Sequence, residues 1–332
     1  MPDPAGKIGD SFEARIRELE ERSLSPLAVR SYETGGRARP EKPCRLRTPL
    51  QRDRDRIVHA KAFRRLAHKT QVFIDPEGDH FRTRLTHTLE TTGISRGVAR
   101  ALRLNEDLTE AIGLGHDLGH TPFGHAGEKA LDAIRGEMFG LGFRHNEHSL
   151  RVVDVLERDG RGLNLTAEVR DGILNHTGEN EPSTLEGRVV RLVDRVAYIN
   201  HDIDDAIRFG AVAASDLPRE EIAVLGDSGS RRIDRLVHDI VESSSEAGDI
   251  VQSEEISEAM LSLRSFMFDR VYLSSHTEVQ NAHAVMVVRT LFRHLLEHQE
   301  AIPEKEGEPA RRATDYLAGM TDRFALALFE TI

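Results

Sequence analysis

The stretch Gly113-Leu114-Gly115-His116-Asp117-Leu118-Gly119-His120-Thr121-Pro122-Phe123-Gly124-His125 closes a helical pattern in which Leu108, Ile112 and His116 recur every four residues on one face. A histidine that continues an apolar stripe points inward, where it is ordinarily a hydrogen-bonded core residue. Asp117 beside it changes the reading, because a buried carboxylate costs several kcal/mol unless it is paired or bound to a cation. The segment His116 to His120 superficially matches the His-Glu-x-x-His helix of zinc proteases. Asp117 is one methylene too short for the base of that motif, and Gly119 and Pro122 end the helix it needs.

Working outward, His87 lies in Arg82 to Glu90, at a helix start where His87, Thr91, Ile94 and Val98 share a face. Asp194, Tyr198 and Asp202 repeat at i, i+4 and i+8 on an otherwise apolar helix, which predicts a lined pocket in preference to a solvated face. His87, His116, Asp117 and Asp194 together offer two imidazoles and two carboxylates to one divalent metal ion. That donor set suits a borderline or hard divalent ion such as Mn, Mg, Fe, Co, Ni or Zn and does not choose among them. Four protein ligands around an octahedral ion leave two positions for water and a substrate oxygen, the arrangement of metal-assisted phosphoryl hydrolysis. His125 opens the next helix with Glu128 at i+3. A carboxylate one turn from a histidine fixes its tautomer and raises its basicity, as a general acid or base requires, although a helix-capping Glu has the same spacing. His120, four residues after His116, reaches toward the same pocket.

The 332 residues are 39% hydrophobic and 30% charged with no Trp, the profile of an ordinary globular protein able to bury a full core. No run approaches the ~18 apolar residues of a membrane span, and Met1-Pro2-Asp3-Pro4 lacks the basic and apolar regions of a leader, so the expected location is cytoplasmic. The single cysteine, Cys44, excludes a disulfide framework and a Cys-x-x-Cys zinc site, leaving any metal to His and carboxylate. Nine of the sixteen histidines fall between His59 and His148. Net charge is −11, yet Arg37 to Lys69 holds twelve Lys or Arg against Glu41, Asp53 and Asp55. A cationic arm on an acidic protein reads as a phosphate site or as a solvated basic face.

Helical periodicity dominates the chain. A helix is expected around Ser11 to Ser23, and one basic amphipathic helix from Arg52 through Ile57, Ala60, Phe63 and Ala67. Further helices are expected at about 83–103, 107–119, 125–137, 145–158, 165–176, 188–209, 230–243, 254–273, 277–299 and 308–331. Gln71-Val72-Phe73-Ile74, ended by the turn Asp75-Pro76-Glu77-Gly78, is the strand candidate. The expected class is all-α with at most one short β-hairpin. Its expected divisions are an N-terminal helix and basic arm (1–50), a catalytic core (51–210), a flexible acidic segment (211–255) marked by Gly226 to Ser230 and Ser243-Ser244-Ser245, and C-terminal helices (256–332) that pack on the core or serve assembly.

The ligand pattern His87, His116-Asp117, Asp194 resembles the signature of the HD superfamily of metal-dependent phosphohydrolases. Arg52-Asp53-Arg54-Asp55-Arg56-Ile57, Phe63-Arg64-Arg65-Leu66, Lys69-Thr70-Gln71-Val72-Phe73 and the His116 to His125 string are similar to the deoxyguanosinetriphosphate triphosphohydrolases, densely from about Arg37 to Gly210. The resemblance implies an HD-domain helical fold and hydrolysis of a deoxynucleoside triphosphate to deoxynucleoside and inorganic triphosphate, by attack of water at the α-phosphorus. It implies His87, His116, Asp117 and Asp194 as metal ligands and His125 with Glu128, near His120, as the catalytic group. Whether His125 activates water or protonates the leaving oxygen is left open by the sequence. Arg84 and Arg195 resemble phosphate contacts, and Arg52 falls among the substrate-binding residues. Gln71 and Asp202 resemble groups that bond the 3′-hydroxyl, and Tyr198 resembles the residue whose ring lies where a ribose 2′-hydroxyl would clash. The resemblance also implies a homo-oligomer, hexamers included, and a nucleotide effector for which the basic arm offers a site. No segment matches the insertions that shape the base pocket of longer members, so dGTP and a broader dNTP range both stay open.

Two other readings use the same residues. A phosphodiesterase or single-strand nuclease would run nucleic acid along the basic arm, against which the low aromatic content of 5% speaks. A non-catalytic dNTP-sensing oligomer would bind nucleotide without needing His125 paired to Glu128.

Overall fold

The structure is a computed structural model and describes residues 4–72, 81–272, 275–303 and 306–332. In chain order it carries α1 (Pro4–Ser23), α2 (Pro49–Val58), α3 (Lys61–Arg65), α4 (Arg84–Ala101), α5 (Glu106–Gly115), α6 (Gly124–Phe139), α7 (His145–Arg151) and the single turn α8 (Glu157–Gly160). These are followed by α9 (Ala167–Asn175), α10 (Leu185–Phe209), α11 (Arg219–Leu225), α12 (Gly229–Ala247), α13 (Glu254–Met267), α14 (Ser275–Glu297), α15 (Pro309–Ala318) and α16 (Asp322–Phe329). No strand occurs among the described residues, and the backbone pairs only at the isolated antiparallel bridges Arg37–Thr166 and Thr70–Thr83. The all-α expectation holds. Of the strand candidate, Gln71 and Val72 form a bend after the second bridge, while Phe73, Ile74 and the following turn lie outside the described residues.

Helix starts follow their caps. Thr48 accepts the Gln51 N–H at 3.1 Å, the Gln51 side chain takes the Thr48 N–H in return, and Pro49 fills the first helical position of α2. Thr83 and Thr86 make the same reciprocal cap for α4, and Asn105 caps α5.

Three apolar clusters hold the helices. Val189, Val193, Val196, Ile199 and Ile203 of α10 meet Val98 of α4, Leu236 and Ile240 of α12, and Met260 and Leu263 of α13. Leu108 and Ile112 of α5 pack with Leu50 and Ile57 of α2 and Val169 and Ile173 of α9. Phe123 with Leu131 and Ile134 of α6 joins Val287, Leu291 and Phe292 of α14, Leu317 of α15 and Ala325 of α16. Each fully buried Leu, Ile or Phe contributes about 1.5–3 kcal/mol of transfer free energy.

Two expectations are corrected. The basic helix from Arg52 breaks at Ala60, which is extended (φ −68°, ψ 150°), because the Glu157 carboxylate, far along the chain, takes the N–H groups of Lys61 (3.1 Å) and Ala62 (2.7 Å) and starts α3 afresh. The C-terminal span 308–331 divides at Gly319 and Met320, where Thr321 caps α16. Residues 211–255, expected as an acidic segment, carry α11 and α12, with Leu217, Leu225, Leu236 and Ile240 buried. The Gly-Ser run there is the cap of α12, whose Ser228 hydroxyl accepts the Arg231 N–H. The serine cluster lies inside the same helix, and the Ser244 and Ser245 hydroxyls donate to the carbonyls of Val251 (3.2 Å) and Val241 (2.7 Å).

The turn after α5 is pressed against α7. A Cβ on Gly119 would lie 2.1 Å from Ser149 N and 2.5 Å from His145 O, both backbone atoms that side-chain motion cannot clear. Gly119→Ala is expected to destabilise the protein by about 3 kcal/mol, a cost of overpacking read as a lowered thermal midpoint. An unchanged midpoint would mean that these two backbones do not meet.

Candidate metal centre and active site

The end of α5 aims the first ligand. His116 is its C-terminal cap residue, and its Nδ1–H donates to the Gly113 carbonyl at 2.6 Å, which fixes the tautomer and leaves Nε2 as the free lone pair. That Nε2 is buried with no hydrogen-bond partner. It lies 3.6 Å from an oxygen of Asp117 and 3.6 Å from an oxygen of Asp194. His87, in the first turn of α4, places its Nε2 3.0 Å from the same Asp194 oxygen. Donor atoms of His87, His116 and Asp194 all lie within 4.8 Å of one another. Bonds of about 2.0–2.2 Å to one central ion span such separations, so the donor set and the orphaned nitrogen fit a divalent metal. Three of the four residues expected as ligands, carried by α4, the end of α5 and α10, thus share this space, and Asp117 adjoins it through His116 at 3.6 Å while its own close donor group is His120 and His145.

Charge is balanced within the cluster. Burial raises the Asp117 carboxyl, but His116 and Arg84 prevail and hold it well below the ordinary range. Burial likewise opposes ionisation of Asp194, and the His87 hydrogen bond brings it down to about 2. Arg84 Nη1 donates to Asp117 at 2.8 Å, while its Nε and Nη2 are buried donors without a protein acceptor.

A histidine relay adjoins the centre. Glu128 Oε1 accepts both the N–H and the Nδ1–H of His145 at 2.8 Å, whereas His125 reaches Oε2 at 3.4 Å. The Nε2 of His145 lies 3.1 Å from Nε2 of His176, whose own Nδ1–H donates to the Ile173 carbonyl at 2.8 Å. Acceptors at both nitrogens favour the protonated ring of His145, in keeping with a value that burial lowers and Glu128 raises above the ordinary one. His120 stacks on His145 with ring centroids 4.2 Å apart, and burial followed by Arg84 and His145 keeps it neutral. His125 and Glu128 are together as expected, yet the firmer partner of Glu128 is His145. The sequence reading missed His145 and His176. A legible signal existed for His176, which ends α9 as His116 ends α5, each bonding the carbonyl three residues back.

The row on α10 faces two residues that the sequence reading also missed. Arg264 Nε donates to the Tyr198 hydroxyl at 2.7 Å, and the Tyr272 hydroxyl donates to Asp202. The second Asp202 oxygen and the Gln71 amide oxygen are buried acceptors without partners. Burial pushes Asp202 up to about 7 against the pull of Tyr272. Arg195 is half-buried beside Asp194 and makes no ion pair among the described residues. Arg52 stands apart from this group: its guanidinium bonds Glu41 at 2.7 Å and the Lys42 carbonyl at 3.1 Å in the arm. A cavity of about 230 Å³ lined by Arg47, Arg52, Asp55, Arg56, His59 and Arg158 lies there. A larger cavity, about 560 Å³ between α11 and α12, includes none of the centre's residues.

Residues 84–199 match the HD domain, and residues 250–331 match the phosphohydrolase-associated domain. The chain is 54% identical over 321 residues (95% of this chain, 94% of the relative) to a deoxyguanosinetriphosphate triphosphohydrolase-like protein of Caldanaerobacter subterraneus subsp. tengcongensis. It is 46% identical over 350 residues (98% and 97%) to one of Desulfatibacillum aliphaticivorans, and 46% over 334 residues (96% and 96%) to one of Clostridium perfringens. No helix among the described residues is long and apolar enough to cross a membrane.

Asp202 supplies a test of the pocket's electrostatics. Its folded value, about 7, lies above the ordinary 3.8, so its contribution to stability is present below pH 4 and is lost as pH rises toward 7. Asp202→Asn escapes that loss. Its stability relative to the parent is expected to grow by about 2 kcal/mol between pH 5 and pH 7 in denaturant melts, and a pH-independent difference would show that Asp202 is not held protonated.

Proposed function

We propose that this chain, which belongs to the family of deoxyguanosinetriphosphate triphosphohydrolase-like HD-domain proteins, is a metal-dependent deoxynucleoside triphosphate triphosphohydrolase acting on dGTP or a broader range of dNTPs. The observation that carries the reading is the orphaned His116 Nε2, set among Asp117, Asp194 and His87 beside two unpaired guanidinium donors of Arg84. His87, His116, Asp117 and Asp194 would hold one divalent cation, Mn or Mg first, which supplies Lewis-acid stabilisation of charge on the phosphoryl group. Arg84, with Arg195, would take phosphate oxygens through guanidinium forks. The unpaired acceptors of Asp202 and Gln71 suit the 3′-hydroxyl, and the Tyr198 ring, braced by Arg264, would exclude a 2′-hydroxyl.

In this reading a water oxygen bonds to the α-phosphorus and the bond from α-phosphorus to O5′ breaks. One proton passes to O5′, so that deoxynucleoside and inorganic triphosphate leave. His145 in its protonated form, anchored by Glu128, suits the donor role, while His125, the exposed ring on the same carboxylate, stands on its solvent side. His120, kept neutral and stacked on His145, excludes water behind it.

The arm is engaged internally. Arg37 bonds Asp53 and the Asn164 and Pro49 carbonyls, Arg47 and Arg54 bond Asp55, and Arg56 bonds Glu41 and the Leu163 and Asn164 carbonyls. Cations so occupied do not favour a nucleic-acid track. Of the cations around the 230 Å³ cavity, Arg158 makes no ion pair among the described residues and would be the one left for an effector nucleotide's phosphate, and assembly into a homo-oligomer belongs to the same proposal.

With Mn or Mg and each of the four dNTPs, the expected products are deoxynucleoside and intact triphosphate; stepwise release of orthophosphate would overturn the proposal. His116→Ala is expected to lose bound metal and essentially all turnover. Glu128→Gln is expected to keep the metal and lower kcat by about 100-fold, the scale of general acid–base catalysis. Wild-type kcat in Glu128→Gln would remove the relay from the mechanism.

A further inference from the structure

We infer that Asp322, in the C-terminal helices, is a positioning residue for the catalytic pocket, an inference that rests on the function proposed above. Asp322 is the first residue of α16, where a carboxylate commonly does no more than favour the helix N-terminus. Here both oxygens are turned away from their own helix. Oδ2 accepts the Thr70 N–H at 2.8 Å, and Oδ1 accepts the Phe123 N–H at 2.9 Å, partners 252 and 199 residues distant.

The two amides belong to the loops that carry pocket residues. Thr70 precedes Gln71, whose side-chain oxygen is one of the unpaired buried acceptors. Phe123 and Gly124 lead into His125, and Phe123 holds φ 63°, a left-handed conformation that a bulky residue rarely adopts and that the surroundings must enforce. The loops touch: a Cβ on Gly124, itself at φ 56°, would lie 3.0 Å from the Gln71 carbonyl and 3.3 Å from Arg84 Nη2. One carboxylate therefore sets the spacing between the loop bearing Gln71, the guanidinium of Arg84 and the start of the helix bearing His125 and Glu128.

Two further ties come from the same part of the chain. Buried Lys69 donates to the His120 carbonyl and, at 2.8 Å, to the Ala318 carbonyl at the end of α15. The apolar face of α6 shares its core with α14, α15 and α16. The C-terminal helices thus serve as the back wall of the active site, with Asp322 as the point where that wall grips both loops.

The experiment compares full-length wild type, Asp322→Ala, Asp322→Asn and Glu137→Gln in metal-loaded form. Glu137→Gln removes the charge from the Arg289 pair at the far end of α6 and controls for weakening of an ordinary tie between α6 and α14. Asp322→Ala is expected to lower kcat at least tenfold and raise KM, with Asp322→Asn, which keeps one acceptor oxygen, in between. It is also expected to shrink the preference for a dNTP over its 2′,3′-dideoxy analogue, because Gln71 is released. Amide exchange at Thr70 and Phe123 should accelerate in Asp322→Ala and stay as in wild type in Glu137→Gln. Wild-type kcat, KM and dideoxy discrimination in Asp322→Ala, or unchanged exchange at both amides, would overturn the inference. Absence of triphosphate release by the wild type itself would instead overturn the proposed function and, with it, the catalytic meaning of the clasp.

Discussion

A buried charge must meet an opposite charge or a ligand, and the interior between α4, α5, α7, α9 and α10 is built around that requirement. Asp117 answers to His116 and Arg84, Asp194 to His87, and Glu128 to His145. Each carboxylate would cost several kcal/mol if left alone in such surroundings. The cluster is therefore tolerable only if the helices bring these groups to within hydrogen-bond or ligand distance of one another. The apolar packing of Val189, Val193 and Val196 along α10, and of Leu108 and Ile112 along α5, supplies the rigidity that holds them there.

Helix ends do the aiming. His116 and His176 each stand just past a helix and return Nδ1–H to the carbonyl three residues back, which satisfies a terminal carbonyl and directs Nε2 toward the centre. His87 is carried in the first turn of α4 by the Thr83 cap, and His125 in the first turn of α6 by the left-handed Phe123 and Gly124. The site is thus assembled from turns and terminal residues held by long buried helices, which gives side chains precise direction without placing irregular backbone in the core.

His87, His116, Asp117 and Asp194 were legible as candidates because each sits in a local pattern with a physical meaning: a polar residue on an apolar stripe, or a row at i, i+4 and i+8. Tyr198 and Asp202 were legible for the same reason. His145, Arg264 and Tyr272 were not, since each acquires its meaning only from a partner far along the chain: Glu128, Tyr198 and Asp202 respectively. Arg52 was placed among the substrate-binding residues on a cationic arm, and in the fold its guanidinium bonds Glu41. Within the serine and glycine runs between 226 and 245, Ser228 caps α12, and the Ser244 and Ser245 hydroxyls donate to the carbonyls of Val251 and Val241, while the apolar face of that helix is buried.

Periodicity and capping chemistry in the sequence determined that the chain is all-helical and roughly where most helices run, because these depend on neighbours within a turn or two. Tertiary structure alone decided where Glu157 breaks the basic helix, that Glu128 serves His145 more firmly than His125, and that Asp322 joins the loops of Gln71 and His125. Those outcomes rest on contacts between residues some 20 to 250 positions apart, and the distance between such groups is set by how the whole core packs.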